Sequence, residues 1–135
     1  MENSKFIETL EKCLLLIVPL GLSIIGCGYL LNPLFYPNVF GFYFDNINGM
    51  HVYRAFGALY LSMSCYWLLS LKNKSWRKGA ILSIAFLMAG LLVGRFISLI
   101  VEGIPHSLLI LFIGLEILCL VQALVVLKYK YSNTN

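Results

Sequence analysis

The chain has 135 residues, a formal net charge of +4 and a hydrophobic content of 60%, and its mean hydropathy is +0.86. A soluble domain of this length does not hide so much apolar surface, so the composition excludes a soluble fold and indicates one integral membrane domain over residues 1–135. The basic residues stand at the edges of apolar runs and form no continuous stripe, which argues against nucleic acid as a partner.

Four apolar stretches have about the length that a helix needs to cross the hydrocarbon core, roughly 20 residues. In chain order, the predicted spans are residues 13–31, 51–71, 80–101 and 108–127. Short connections between sequential spans make them antiparallel neighbours. The predicted fold class is therefore all-α, an antiparallel bundle of four transmembrane helices.

The segment between the first two spans, residues 32–50, reads "NPLFYPNVFGFYFDNINGM" and is too broken by Pro, Gly and Asn for a spanning helix. Aromatic residues at this density suit the membrane interface. The segment is therefore predicted to be an aromatic-rich outer loop that folds over a site below it. Its aromatic residues are Phe35, Tyr36, Phe40, Phe42, Tyr43 and Phe44.

The orientation in the membrane follows from the basic residues between and after the spans. Residues 72–78 carry four basic residues and no acid, and the tail carries Lys128 and Lys130. The positive-inside rule predicts that both regions are cytoplasmic. Both termini are then inside, and the loops 32–50 and 102–107 are outside.

Charged residues inside the spans are the main candidates for a site, because a charge at the bilayer centre costs about 2.5–3.5 kcal/mol on insertion scales. Glu116 lies eight residues into the fourth span, about 12 Å deep at the helical rise per residue. Arg54 and Arg95 lie within roughly two turns of the outer surface. Arg95, Ser98 and Glu102 share one helix face.

We expect Glu116 to face inward and to pair with Arg95, with Arg54 or with both, because arginine stays charged and donates bidentately. Two interpretations are open at this point. In one, the ion pairs only fix the packing of the helices. In the other, the charged cluster lines a cavity that is open to the outside or to lipid, and the arginines bind an anionic or carbonyl-bearing ligand.

Small residues indicate where helices approach one another. Gly57 and Ala58 lie one turn below Arg54, and Gly90 and Gly94 form a G-x-x-x-G motif in the third span. Small residues at this spacing allow two backbones to come close. We therefore expect close helix contacts at both places.

No catalytic or metal-binding pattern accompanies these charges. The cysteines contain no C-x-x-C pair, which argues against a disulfide framework or a metal site. His51 shares a face with Arg54, and neither it nor His106 has further ligands at a suitable spacing, so we predict neither metal nor cofactor. The absence of a Ser/His/Asp pattern and of a phosphate-binding Gly loop favours a binding or structural protein over an enzyme.

Three segments carry a family resemblance: "NGMHVYRAFGALYLSMSCYWLL" at 48–69, "GRFISLIVEGIP" at 94–105 and "LEIL" at 115–118. The chain resembles the bacterial membrane family of domain of unknown function 4345, small four-helix proteins similar in architecture to the DoxX-like group. The resemblance implies a fold and a set of motif residues but no activity, and Glu102 stands where an aspartate is more frequent. The implied motif residues are Arg54, Gly57, Gly94, Arg95, Ser98, Gly103, Pro105 and Glu116.

The sequence thus predicts a multi-pass protein of the bacterial inner (cytoplasmic) membrane with a candidate site in the outer half of the bundle. The first hypothesis is that it binds a small lipidic or anionic ligand, or a membrane-protein partner, among membrane lipids. The second is a structural or assembly subunit, including a homo-oligomer, and the third, by fold analogy alone, a redox-associated accessory protein. The candidate site residues are Arg54, Arg95, Glu116, Ser98, Glu102 and His51.

Overall fold

The structure is a computed structural model that describes residues 2–34, 39 and 46–132. These residues form helices and no strand, so the predicted all-α class is confirmed for the part of the chain described. The six aromatic residues of the predicted outer loop lie outside the described residues. The elements are α1 (Glu2–Leu31), α2 (Ile47–Lys72), a 3₁₀ turn (Lys74–Trp76), α3 (Arg77–Val101), α4 (Ser107–Val126) and a π-helical extension of α4 (Leu127–Tyr131).

Within the described ranges, three helical segments are long and apolar enough to cross a membrane: Ser4–Leu31, Lys74–Val101 and Ser107–Tyr131. These three segments indicate a membrane protein. The helix α2 has 26 residues and therefore sufficient length, but its serines, its tyrosines and Arg54 lower its hydropathy. A fourth crossing by α2 stays a prediction.

The buried core occupies one half of the helices. Trp67 of α2 has no exposed surface, and its indole Nε1 donates a hydrogen bond of 2.9 Å to Ser83 Oγ of α3. Because lipid tails are as apolar as leucine, helices in a membrane associate through such close packing and hydrogen bonds. The buried hydrophobic cluster that contains Trp67 also contains Leu14, Leu15, Val18, Ala80, Ile81, Ile84, Ala85, Met88, Ala123 and Val126.

The helices α1 and α2 touch backbone to backbone at two glycines. A Cβ added at Gly57 would stand 2.8 Å from the carbonyl oxygen of Gly26, and one added at Gly26 would stand 3.0 Å from that of Gly57. The predicted close contact at Gly57 is confirmed. The prediction for Gly90 and Gly94 is wrong within the described chain, because no heavy atom lies within 4 Å of a Cβ built at either residue.

The turn between α3 and α4 is short and well defined. The backbone N–H of Glu102 donates to Ser98 O at 2.8 Å, and Gly103 follows with a φ of +94°, a conformation that favours glycine after a helix. His106 Nδ1 then accepts from the backbone N–H of Leu108 at 3.3 Å and caps α4. The turn brings the end of α3 and the start of α4 side by side.

Candidate functional site

Arg95 of α3 and Glu116 of α4 form an ion pair. Arg95 Nε donates to both carboxylate oxygens of Glu116, at 2.9 Å and 2.8 Å. Glu116 is buried, while Arg95 is partly exposed. A buried carboxylate in a membrane is tolerated because a cation neutralises it at contact distance.

The pair uses only part of the guanidinium. In the part of the chain that the structure describes, both hydrogen bonds of the Arg95 side chain leave from Nε. A guanidinium carries five N–H donors, so four donors on Nη1 and Nη2 take no part in these bonds. The pair with Glu116 therefore leaves the Nη donors of Arg95 for another acceptor.

A cavity of about 280 Å³ lies beside the pair. Each of the four described helices contributes to its wall, which is apolar except for Arg95, Glu116, two tyrosines and Cys119. Two residues of the wall, Ile17 and Leu115, are 66% and 47% exposed, so the cavity opens outward between α1 and α4. An apolar cavity of a few hundred cubic ångströms with a few polar groups is typical of ligand sites.

The other predicted site residues lie away from this cavity. Arg54, His51, Ser98 and Glu102 are all exposed, and none of them belongs to the cavity wall. None of the described carboxylates forms an ion pair with Arg54. Arg54 precedes the Gly57 contact on α2, and Glu102 lies in the turn after α3. The structure brings Arg95 and Glu116 together and leaves the other four apart.

A second buried carboxylate, Glu11 of α1, lies in the other half of the helices and was missed by the sequence analysis. Its side chain has no exposed surface. Its Oε2 lies 2.6 Å from Lys130 Nζ and 3.5 Å from Arg77 Nη1. The Tyr131 hydroxyl donates to Oε1. We call these four residues the Glu11 cluster.

The Glu11 cluster joins the four described helices, because Arg77 also reaches the end of α2. Its Nε donates to Ser70 O at 3.2 Å and its Nη2 to Leu71 O at 2.7 Å. These carbonyls belong to the last turn of α2, which has no intrahelical donors for them. Arg77 starts α3 and Lys130 lies in the extension of α4, so four separate segments meet at Glu11.

A sequence signal for the Glu11 cluster existed. Glu11 precedes Leu14, Leu15 and Val18 by three, four and seven residues, the spacing of one helix face. Those three residues are buried, so the carboxylate stands on the core face of α1. An acidic residue on such a face needs a cation, and the "KYKY" tail supplies one.

Among the described residues, no group of three His, Cys, Asp or Glu side chains is placed to hold a metal ion. The four cysteines are free thiols.

The comparison with protein families gives one finding. The family model described as "Domain of unknown function (DUF4345)" matches residues 10–127, which confirms the predicted family, while the bacterial origin and the likeness to the DoxX-like group stay predictions. No curated protein and no solved structure matches the chain.

Proposed function

The chain belongs to the family of domain of unknown function DUF4345, and we propose that it binds a small lipidic ligand in the cavity beside Arg95. The observation that carries the proposal is the geometry of Arg95. Glu116 holds the guanidinium through Nε alone, so the Nη groups are donors for the head group of a ligand. The apolar wall and the opening between α1 and α4 suit an acyl chain.

The alternative is that the ion pair only fixes helix packing. An ion pair that only fixes packing needs no cavity beside it, and the wall of a cavity has fewer packing partners within the protein. The structural role is already filled by the Glu11 cluster, which ties the four segments at the opposite half of the helices. The surplus donors and the cavity together favour binding.

The proposal includes an orientation in the membrane. We propose four antiparallel spans in a bacterial inner membrane, with both termini in the cytoplasm and the aromatic-rich loop outside. The exposed residues Lys74, Lys78 and Lys128 support this orientation, since they lie in the basic loop and tail.

The orientation is tested by labelling a single thiol. In a variant whose natural cysteines are replaced by alanine, Ser75→Cys is exposed in the 3₁₀ turn. We expect a membrane-impermeant maleimide to label it only after the membrane is opened. Labelling of this thiol in intact spheroplasts would show that the turn lies outside, and the proposed orientation would be wrong.

The ligand is tested by mass spectrometry of lipids and small molecules that co-purify with the protein. We compare the wild type with Arg95→Leu, and with Arg54→Leu as a matched control that removes an exposed arginine outside the cavity. A hydrogen bond to a charged group contributes about 1.5–3 kcal/mol, which corresponds to roughly a tenfold to hundredfold change in affinity. We expect a species retained by the wild type and by Arg54→Leu to fall by at least about tenfold in Arg95→Leu.

Arg95→Leu leaves Glu116 buried without its cation, so the double variant Arg95→Leu/Glu116→Leu is measured beside it. Replacing both members of a buried pair by apolar residues is often neutral for stability. If the bound species persists unchanged in the folded double variant, Arg95 does not bind it and the proposal fails.

A further inference from the structure

We infer that the head group bound beside Arg95 is uncharged and offers a carbonyl or hydroxyl oxygen, and is not an anion. The inference rests on the proposed function and adds the chemical class of the ligand. A neutral lipid with an ester or amide carbonyl next to a short polar head, such as a monoacylglycerol, is the class that fits.

The charge of the cavity is already balanced. Among the described residues of its wall, Arg95 and Glu116 are the charged ones, and they are in direct contact at 2.8 Å. The other titratable groups of the wall are Tyr29, Tyr60 and Cys119, which are phenols and a thiol and are ordinarily neutral at pH 7. The net charge of the wall is therefore zero.

An anion on Nη1 and Nη2 would share one guanidinium with the Glu116 carboxylate. The site would then hold two negative charges and one positive charge in a region of low dielectric, where like charges repel strongly. Arg54 is exposed and outside the wall, and Arg77 and Lys130 are paired with Glu11. None of these cations is placed to balance the added charge.

A carbonyl or hydroxyl oxygen avoids this difficulty. It accepts from Nη1 or Nη2 without adding charge, and a hydrogen bond from a charged donor is stronger than one between neutral groups. A cavity of about 280 Å³ is near the lower end of ligand sites, so it encloses the head and the first part of a chain. The remaining chain leaves past Ile17 and Leu115 into the lipid.

The inference is tested with two probes that share an 18-carbon chain with one double bond: monooleoylglycerol, which is neutral, and oleyl sulfate, which stays ionised. Both are added in equal amounts to the full-length protein in a nonionic detergent, and native mass spectrometry measures the ratio of the two complexes. We expect the wild type to retain monooleoylglycerol at least about tenfold better.

The decisive variant is Glu116→Gln, which keeps an acceptor for Arg95 Nε and removes the negative charge. We expect the ratio to shift toward oleyl sulfate by at least about tenfold, a change of about 1.4 kcal/mol. The matched control Glu102→Gln removes an exposed carboxylate outside the cavity and should leave the ratio unchanged.

The outcomes separate the inference from the proposed function. Preference of the wild type for oleyl sulfate would overturn the inference while supporting lipid binding. This outcome is measured on the wild type alone. A ratio that Glu116→Gln does not move would also overturn it, because the charge of Glu116 would then not select the head group. Retention of neither probe by the wild type would contradict the proposed function itself.

Discussion

Glu11→Leu is expected to lower the free energy of unfolding by about 3–5 kcal/mol, the usual cost of removing one member of a buried charged group. The substitution takes the carboxylate from Arg77, Lys130 and the Tyr131 hydroxyl at once. It leaves two cations close together at a place where the native side chain has no exposed surface. Unfolding by a denaturing detergent, followed by the fluorescence of buried Trp67, measures the change.

The matched control for this prediction is Glu8→Leu, three residues earlier on α1. Glu8 pairs with Lys12 at 2.9 Å, but the two side chains are 49% and 51% exposed. An exposed pair four residues apart on a helix contributes about 0.3–0.5 kcal/mol, so we expect a correspondingly small change. Equal effects of the two substitutions would mean that the Glu11 cluster is no stronger than a surface contact.

Gly57→Ala is expected to destabilise the protein by about 1–3 kcal/mol, the typical cost of overpacking a tight contact. The new Cβ would stand 2.8 Å from the Gly26 carbonyl oxygen and 3.0 Å from the Leu30 backbone nitrogen. Both are backbone atoms, so no side chain can rotate to make room. The helices α1 and α2 would have to separate, and the same detergent titration measures the loss.

Gly90→Ala is the control, because a Cβ at Gly90 meets no heavy atom of the described chain within 4 Å. Alanine is favoured over glycine in a helix by about 0.8–1.0 kcal/mol, so this substitution should be neutral or stabilising. A loss of stability at Gly90 as large as that at Gly57 would show that close packing is not what distinguishes the two glycines.

The sequence was sufficient for the helical class and for one of the two charged groups. Long apolar runs predict helices in a membrane protein. The described helices cover the residues of all four predicted spans, and three of them are long and apolar enough to cross a membrane. An ion pair between Glu116 and Arg95 could be predicted because each residue interrupts an apolar run. A charge in an apolar run needs an opposite charge nearby. The short turn at Gly103 then leaves α3 and α4 as neighbours, which fixes the partner.

The position of a charge within an apolar run does not identify the Glu11 cluster, because Glu11 precedes the apolar run of α1. Arg77 and Lys130 were interpreted only as charges that set the orientation. Their contact with Glu11 depends on the π-helical turn after α4, where Lys130 and Tyr131 lie. A contact between residues about 120 positions apart follows from helix packing, which local patterns do not contain.

The glycine contacts and Arg54 show the same limit. With 11 glycines in the chain, small residues at helical spacing occur at several places, and only the choice of neighbouring helices decides which ones meet. Gly57 meets Gly26, whereas Gly90 and Gly94 meet no described atom. Arg54 and Arg95 have a similar predicted depth in the membrane, which placed both in the candidate site. Depth does not determine which face of its helix a side chain occupies.

The two halves of the molecule have different physical characters, and the proposed function depends on the difference. One half has the buried core around Trp67 and the Glu11 cluster, which tie the helices together. In the other half α1 contacts α2 at the glycines and α3 contacts α4 through the ion pair, and the cavity lies where these helices meet. The contacts of the first half hold the helices together, so the fold does not depend on close packing at the cavity.

The central claim, that a lipid lies beside Arg95, is tested most directly by photo-crosslinking in native membranes. A monoacylglycerol with a diazirine on the first carbons of its acyl chain, next to the carbonyl, is added, and tandem mass spectrometry maps the labelled residues. We predict that label concentrates on the cavity residues Leu91 and Phe112 and is lost from them in Arg95→Leu. The claim would be contradicted if the label followed lipid exposure alone and were the same in both proteins. It would then be strongest at Phe86 and Ile100, which are 73% and 85% exposed.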